Sequence, residues 1–135
     1  MKKWAIPLNG IGLIYNEQKS YEEARKWLTQ AVERESNWAI PYNNLGSSYF
    51  FQNRFDEAEA YYLKAVELEP RWARPHAWLG SIAMKRYDCN GAVPYFEKVL
   101  APDAVRAAEM NLESIRRQME KAKSCSYDYN SQTVW

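Results

Sequence analysis

Trp38-Ala39-Ile40-Pro41-Tyr42-Asn43-Asn44-Leu45-Gly46 opens a segment with counterparts 34 residues to either side. Upstream the chain reads Trp4-Ala5-Ile6-Pro7, and downstream Trp72-Ala73-Arg74-Pro75. The phase then holds without a gap. Gly12, Gly46 and Gly80 share a column, as do Ala24, Ala58 and Ala92. Ile11, Leu45 and Leu79 form another, and so do Leu28, Tyr62 and Phe96. Tyr15 and Tyr49 align with Ala83, and Ala31 and Ala65 with Val99. A fixed period of this length marks one supersecondary unit repeated along the chain.

Each copy reads as two helices. The first starts at the proline, whose missing N–H would be unpaired in a first turn anyway. Tyr42, Leu45 and Tyr49 then recur at helical spacing. The second helix starts near Ser20, Arg54 or Asp88, and Ser20-Tyr21-Glu22-Glu23 has the spacing of a capping box. Its apolar stripe in the first copy is Ala24, Leu28 and Ala31. A mid-helix glycine costs about 1 kcal/mol against alanine, so the glycine column predicts a closely crossing partner helix. Pro94 stands inside the second helix of the third copy, and with Gly91 it predicts a late start near Asn90 or a kink.

At these residues the chain resembles the tetratricopeptide repeat (TPR) family. The second copy carries the fullest match, in Leu45-Gly46, Tyr49, Ala58, Tyr62, Ala65 and Pro70. The resemblance covers repeats at 5–38, 39–72 and 73–106. It implies an all-α α-solenoid, three antiparallel helix pairs in a right-handed superhelix, and a role as a protein-binding scaffold.

After the third copy the pattern changes. Val105, Ala108, Leu112, Ile115, Met119 and Ala122 give one apolar stripe, so a capping helix is expected over about 103–123. The expected architecture is therefore seven helices without a strand, a repeat domain over 1–123, and a polar tail over 124–135. The tail has no helical period and is expected to be disordered unless Tyr127, Tyr129 and Trp135 anchor it. In that case the tail would lie along a binding face, with the Trp135 carboxylate suited to Arg74 or Lys85, or would fold back on the capping helix or against a neighbouring molecule.

Composition agrees with a helical globular domain. The 135 residues are 47% hydrophobic, and 18 basic against 17 acidic residues leave a net charge of +1. That balance speaks against disorder and against nucleic-acid binding through bulk charge. The aromatics fall in packing columns rather than forming a base-stacking platform. No stretch of about 18 apolar residues predicts a membrane span, and the N-terminal apolar run is expected to belong to the repeat rather than to a leader. Cys89 and Cys125 are too few for a disulfide framework or a zinc site, and are expected as reduced thiols in a cytoplasmic protein.

The face of each first helix turned away from packing is the expected peptide-binding groove. It comprises Ile6, Asn9, Leu13, Asn16 and Glu17; then Asn43, Asn44, Ser47, Phe50 and Phe51; then Arg74, Ala77, Trp78, Ser81, Met84 and Lys85. Amides can hold a peptide main chain, and Phe50, Trp78 and Met84 can supply apolar anchors. One branch of the family clamps the acidic C-terminal peptide of heat-shock chaperones with Lys, Asn, Asn, Lys and Arg. The matching positions here are Asn9, Leu13, Asn44, Arg74 and Trp78. Leu13 and Trp78 cannot pair with a carboxylate, so that ligand is not expected.

No catalytic residues, cofactor or metal site are expected. His76 and Cys89 stand in packing columns, as a half-buried histidine and a buried thiol, and Glu22-Glu23 and Asp56-Glu57 favour helix starts. The reading is a non-enzymatic protein-protein interaction scaffold, an adaptor for a protein or peptide, with no nucleic acid or membrane partner. The alternative is a self-assembly module whose repeats stack between chains. Trp4 stands where Trp38 and Trp72 stand, as in an array that continues, and a homo-oligomer would follow.

Overall fold

The computed structural model describes residues 2–132, with the backbone alone for Lys2 and for 126–132. Seven α-helices follow in order: α1 (Lys2–Glu17), α2 (Tyr21–Arg34), α3 (Ala39–Phe50), α4 (Phe55–Leu68), α5 (Ala73–Lys85), α6 (Cys89–Leu100) and α7 (Leu112–Gln132). A 3-10 turn at Ala107–Glu109 precedes α7. There is no strand among the described residues, only a parallel bridge between Trp72 and Val105. The chain forms two compact units, Met1–Pro70 and Arg71–Trp135.

Within each copy the two helices are joined by the same turn. The N–H groups of Ser20, Arg54 and Asp88 donate to the carbonyls of Tyr15, Tyr49 and Ala83, at 2.8, 3.0 and 2.8 Å. Lys19, Asn53 and Tyr87, one residue earlier, take left-handed φ values of 63°, 59° and 60°. This is the Schellman arrangement that satisfies the last carbonyls of a helix. It fixes the angle at which each second helix returns along the first.

The returning helix explains the glycine column. A Cβ on Gly12 would lie 2.5 Å from Leu28 Cγ, one on Gly46 2.7 Å from Tyr62 Cε1, and one on Gly80 2.6 Å from Phe96 Cε1. Leu28, Tyr62 and Phe96 are fully buried. In Met1–Pro70, Leu28 packs in a cluster with Ala24 and Leu45. In Arg71–Trp135, Phe96 packs with Ala92, Val99, Ile115 and Ala122.

Several sequence expectations are corrected. α6 does not start late: Cys89 occupies the column of Tyr21 and Phe55, where α2 and α4 also begin. The Asp88 carboxylate accepts from the Gly91 N–H at 2.9 Å, a cap that offsets the bond Pro94 cannot donate. Ser20 makes no such side-chain cap bond. His76 is buried rather than half-buried, at 5% exposure. The first helices also begin before their prolines, at Lys2, Ala39 and Ala73.

The capping helix starts at Leu112, not at Asp103. Val105 is extended, its N–H donating to Arg71 O at 2.6 Å and its carbonyl accepting from Ala73 N at 3.0 Å. Arg106 is left-handed, with φ 60°, and its guanidinium lies 6.0 Å from the Trp72 ring centroid. Helix resumes when Asn111 Oδ1 accepts from the Ser114 N–H at 3.1 Å, as an N-cap does.

The tail expectation also changes. α7 continues through residues 124–132 instead of ending near Lys123. This stretch carries a covalent tie at Cys125. The two cysteines, expected as free thiols, form a disulfide between α6 and α7, with Cα atoms 6.0 Å apart. The side chains of Tyr127 and Tyr129, and all of Trp135, lie outside the described residues.

Candidate functional site

In Met1–Pro70 the predicted face is carried by α1 and α3, and its amides are brought together. Asn44 Nδ2 donates to Asn9 Oδ1 at 2.9 Å, and Asn16 Nδ2 donates to the Asn44 carbonyl at 3.0 Å. Asn9, Asn43 and Asn44 are buried, with Asn44 at 8% exposure. The glycine columns make this possible, because they let α2 and α4 approach closely while the amide positions turn toward the neighbouring first helix. The Asn16 and Asn43 Oδ1 atoms are buried acceptors without a hydrogen-bond partner.

Ser47 anchors the centre of α3. Its hydroxyl donates to the Asn43 carbonyl at 3.2 Å and lies 2.9 Å from the Tyr62 hydroxyl. Burial pushes the Tyr62 phenol well above the usual tyrosine range, so it stays neutral and can share that hydrogen bond. At the end of α3, Phe50 meets Phe51 and Phe55 edge-on, at centroid distances of 5.4 and 5.5 Å. Phe51 stacks on Tyr21 at 6.2 Å. Leu13 and Ile6 are exposed on α1. This face therefore sets a partly unsatisfied amide core beside apolar side chains open to water.

In Arg71–Trp135 the predicted residues lie on α5, and they divide. Arg74 and Trp78 are half-buried and Lys85 is exposed. Arg74 is close enough to Glu109 to help lower that carboxyl's pKa, after the larger effects of the Arg106 hydrogen bond and charge. Ser81 and Met84 are instead engaged by α7. Ser81 Oγ lies 3.5 Å from Gln118 Oε1, and Met84 packs against the cluster that holds Ile115 and Ala122. Ala77 is buried in the same cluster.

Sequence reading missed Tyr62 and Gln118 as neighbours of these faces. Tyr62 was legible only as a packing residue, since the hydroxyl is what distinguishes it from Leu28 and Phe96. Gln118 carries no signal in a single chain.

Among the described residues no cluster of His, Cys, Asp and Glu could hold a metal, and no helix is long and apolar enough to cross a membrane.

Repeated helix pairs with a common turn and a common glycine contact define an all-α helical-repeat protein. Two family models described as tetratricopeptide repeat match residues 5–70 and 43–109. The chain belongs to the tetratricopeptide repeat family.

Solved structures agree on the fold. The TPR2B domain of yeast Sti1, in a pHsp70 complex, is 21% identical, with 89% of this chain and 96% of that one covered and a TM-score of 0.80. The second TPR of Spaghetti (RPAP3), bound to the HSP90 peptide SRMEEVD, is 24% identical over 73% of this chain and 92% of that one, with a TM-score of 0.69. The Sgt2 TPR domain of Aspergillus fumigatus is 22% identical over 90% and 83%, with a TM-score of 0.72. No curated protein matches the chain.

Proposed function

We propose that the chain is a protein-interaction scaffold and that α1 and α3 take an extended peptide segment of a partner. The observation that supports this reading is the amide cluster of Asn9, Asn16, Asn43 and Asn44, with two buried acceptors unpaired. Buried polar groups normally find partners, and peptide N–H groups are suitable donors once side chains shift on binding. Leu13 and Phe50 flank the cluster as apolar anchors. Arg74, Trp78 and Lys85 present a second set on α5, basic and aromatic, for the same class of ligand. Peptide-bound relatives such as the yeast Sti1 domain make the class of ligand a natural one. Leu13 and Trp78 argue against an acidic peptide such as the SRMEEVD of the Spaghetti complex.

The test uses peptides selected from a random display library on the intact chain. Their affinity should be on the order of micromolar, because a short disordered ligand must order itself. The double variant Asn44→Ala with Phe50→Ala, and separately the exposed-site variant Leu13→Asp, should each weaken a selected peptide at least tenfold (roughly 1.4 kcal/mol) with the helical circular dichroism retained. Equal binding by wild type and Leu13→Asp would exclude this face. An acidic heat-shock C-terminal peptide should bind more weakly than the selected ones.

A second reading rests on the outer side of α1. Ile14 is 53% exposed and Pro7 is open, whereas Ser48 (0%) and Pro41, in the same columns of α3, are buried. A face that is buried in one copy and open in the other suits stacking with another chain. Light scattering over a concentration series tests it, and a constant monomer mass would remove it.

A further inference from the structure

Cys89 and Cys125 are 36 residues apart in sequence and are joined across α6 and α7. Their surroundings differ. Cys89 is the first residue of α6 and is only 8% exposed. Cys125 lies on α7 and is exposed. Upstream, α7 is held by Ile115, Met119 and Ala122, which pack in the cluster around Phe96. That stripe ends at Ala122, and Lys123, Ser124 and Cys125 are all exposed. Ser124 through Gln132 consist mainly of Ser, Tyr, Asp and Asn, which are weak helix formers. Beyond Ala122, then, the sulfur–sulfur bond is the tie among the described side chains that fastens the helix.

We propose that Cys89–Cys125 is a thiol–disulfide exchange site that takes a thiol or dithiol from solvent at Cys125. Exchange there unlatches about the last three turns of α7. An incoming thiolate attacks Sγ of Cys125, because the Cys89 sulfur is covered. A new bond forms between the attacking sulfur and Cys125, the Cys89–Cys125 bond breaks, and its electron pair leaves on Cys89 as a thiolate. The helix N-terminus favours that leaving group. The neighbouring Asp88 carboxylate opposes it, but that carboxylate is turned onto the Gly91 N–H. The Cys89 thiolate then takes a proton from water. A second thiolate of the reductant attacks its own sulfur in the mixed disulfide and frees Cys125. Two electrons have passed, leaving one dithiol oxidised and the cysteine pair reduced. The reverse sequence, run by a small-molecule disulfide, closes the latch again.

The test uses the full chain purified without reductant. Iodoacetamide should add nothing to the native, air-oxidised protein. In native glutathione buffers of graded ratio, quenched with iodoacetamide and mapped by mass spectrometry, the mixed disulfide should appear on Cys125 at least tenfold over Cys89. Hydrogen exchange should then show residues 123–132 losing all measurable protection on reduction by dithiothreitol, while 112–119 and α6 lose only what the lower stability of the unit removes and stay protected. Cys125→Ser should reproduce the reduced pattern without any reductant, and its Cys89 should alkylate slowly. Two free thiols in the oxidised protein, glutathione placed on Cys89, reduction that needs denaturant, or identical exchange of α7 in both states would each overturn the proposal.

Discussion

In Met1–Pro70 the second helix pair meets the first through Leu45, which packs with Ala24 and Leu28, and through polar groups, with the Asn44 amide reaching Asn9 and the Asn44 carbonyl taken by Asn16. In Arg71–Trp135 the single pair α5–α6 is closed instead by α7, through Ile115, Met119 and Ala122 and through a covalent bond. Both units use the same glycine contact and the same turn inside each pair. They differ in what lies beside the pair. The polar part of the first join sacrifices some stability for a face that can exchange hydrogen bonds, since a buried amide left unpaired costs roughly 1–3 kcal/mol. The apolar and covalent join gives that freedom up and fixes one end.

The largest expected effect comes from the shared contact. Phe96→Ala should destabilise Arg71–Trp135 by about 3–5 kcal/mol, and Leu28→Ala should cost Met1–Pro70 about 2–5 kcal/mol. Urea unfolding, followed separately by hydrogen exchange of α6 and of α2, checks both. If Phe96→Ala leaves α6 as protected as before, the ring is not the keystone of its pair.

Next in size is the covalent tie. A loop of this length is worth about 2–4 kcal/mol through the unfolded state, so Cys89→Ser should lower the stability of Arg71–Trp135 by that amount. The exchange of α1 to α4 should stay unchanged. An equal loss in both units would show that their closures are not independent.

How much of this was legible in the sequence follows the same division. The helix pairs were readable because each packing column repeats, so a chance apolar residue in one copy is checked by two others. Toward residue 106 the third copy loses its match to the other two, and beyond it there is no copy to check against. There the stripe of Val105 and Ala108 suggested helix, while the backbone of Val105 was already committed to Arg71 and Ala73. The disulfide was hidden for a related reason: Cys89 aligns with Tyr21 and Phe55 and so reads as packing. The amide cluster was half legible. Spacing placed Asn9 and Asn44 on one face, but not the choice between bonding a ligand and bonding each other.

A smaller effect separates the glycines. Gly80→Ala would bring a methyl group against the buried Phe96 ring, and Gly46→Ala against Tyr62. Overpacking of that kind costs about 1–3 kcal/mol, more than the gain of about 1 kcal/mol from helix propensity. Gly10 is the control, since a methyl group there would meet nothing within 4 Å. Gly10→Ala should raise stability by up to about 1 kcal/mol. Thermal unfolding of the three variants checks the order, and a stabilising Gly80→Ala would mean that the helices yield at that crossing.

The smallest expected effect concerns the turn that both units share. Lys19, Asn53 and Tyr87 hold the left-handed position without a glycine. A left-handed residue other than glycine costs about 1–2 kcal/mol, and asparagine less because its side chain can bond locally. Replacing it by glycine relieves that strain but frees the unfolded chain, which takes back about 0.4–1 kcal/mol. Tyr87 is 90% exposed, so its removal forfeits little packing. Tyr87→Gly should therefore stabilise Arg71–Trp135 by about 0.5–1 kcal/mol on balance, while Asn53→Gly should change Met1–Pro70 by nearly nothing. Chemical denaturation resolves the difference between the two. A destabilising Tyr87→Gly would mean that the ring makes a contact worth more than the strain at its backbone, and the turns of the two units would then no longer be equivalent.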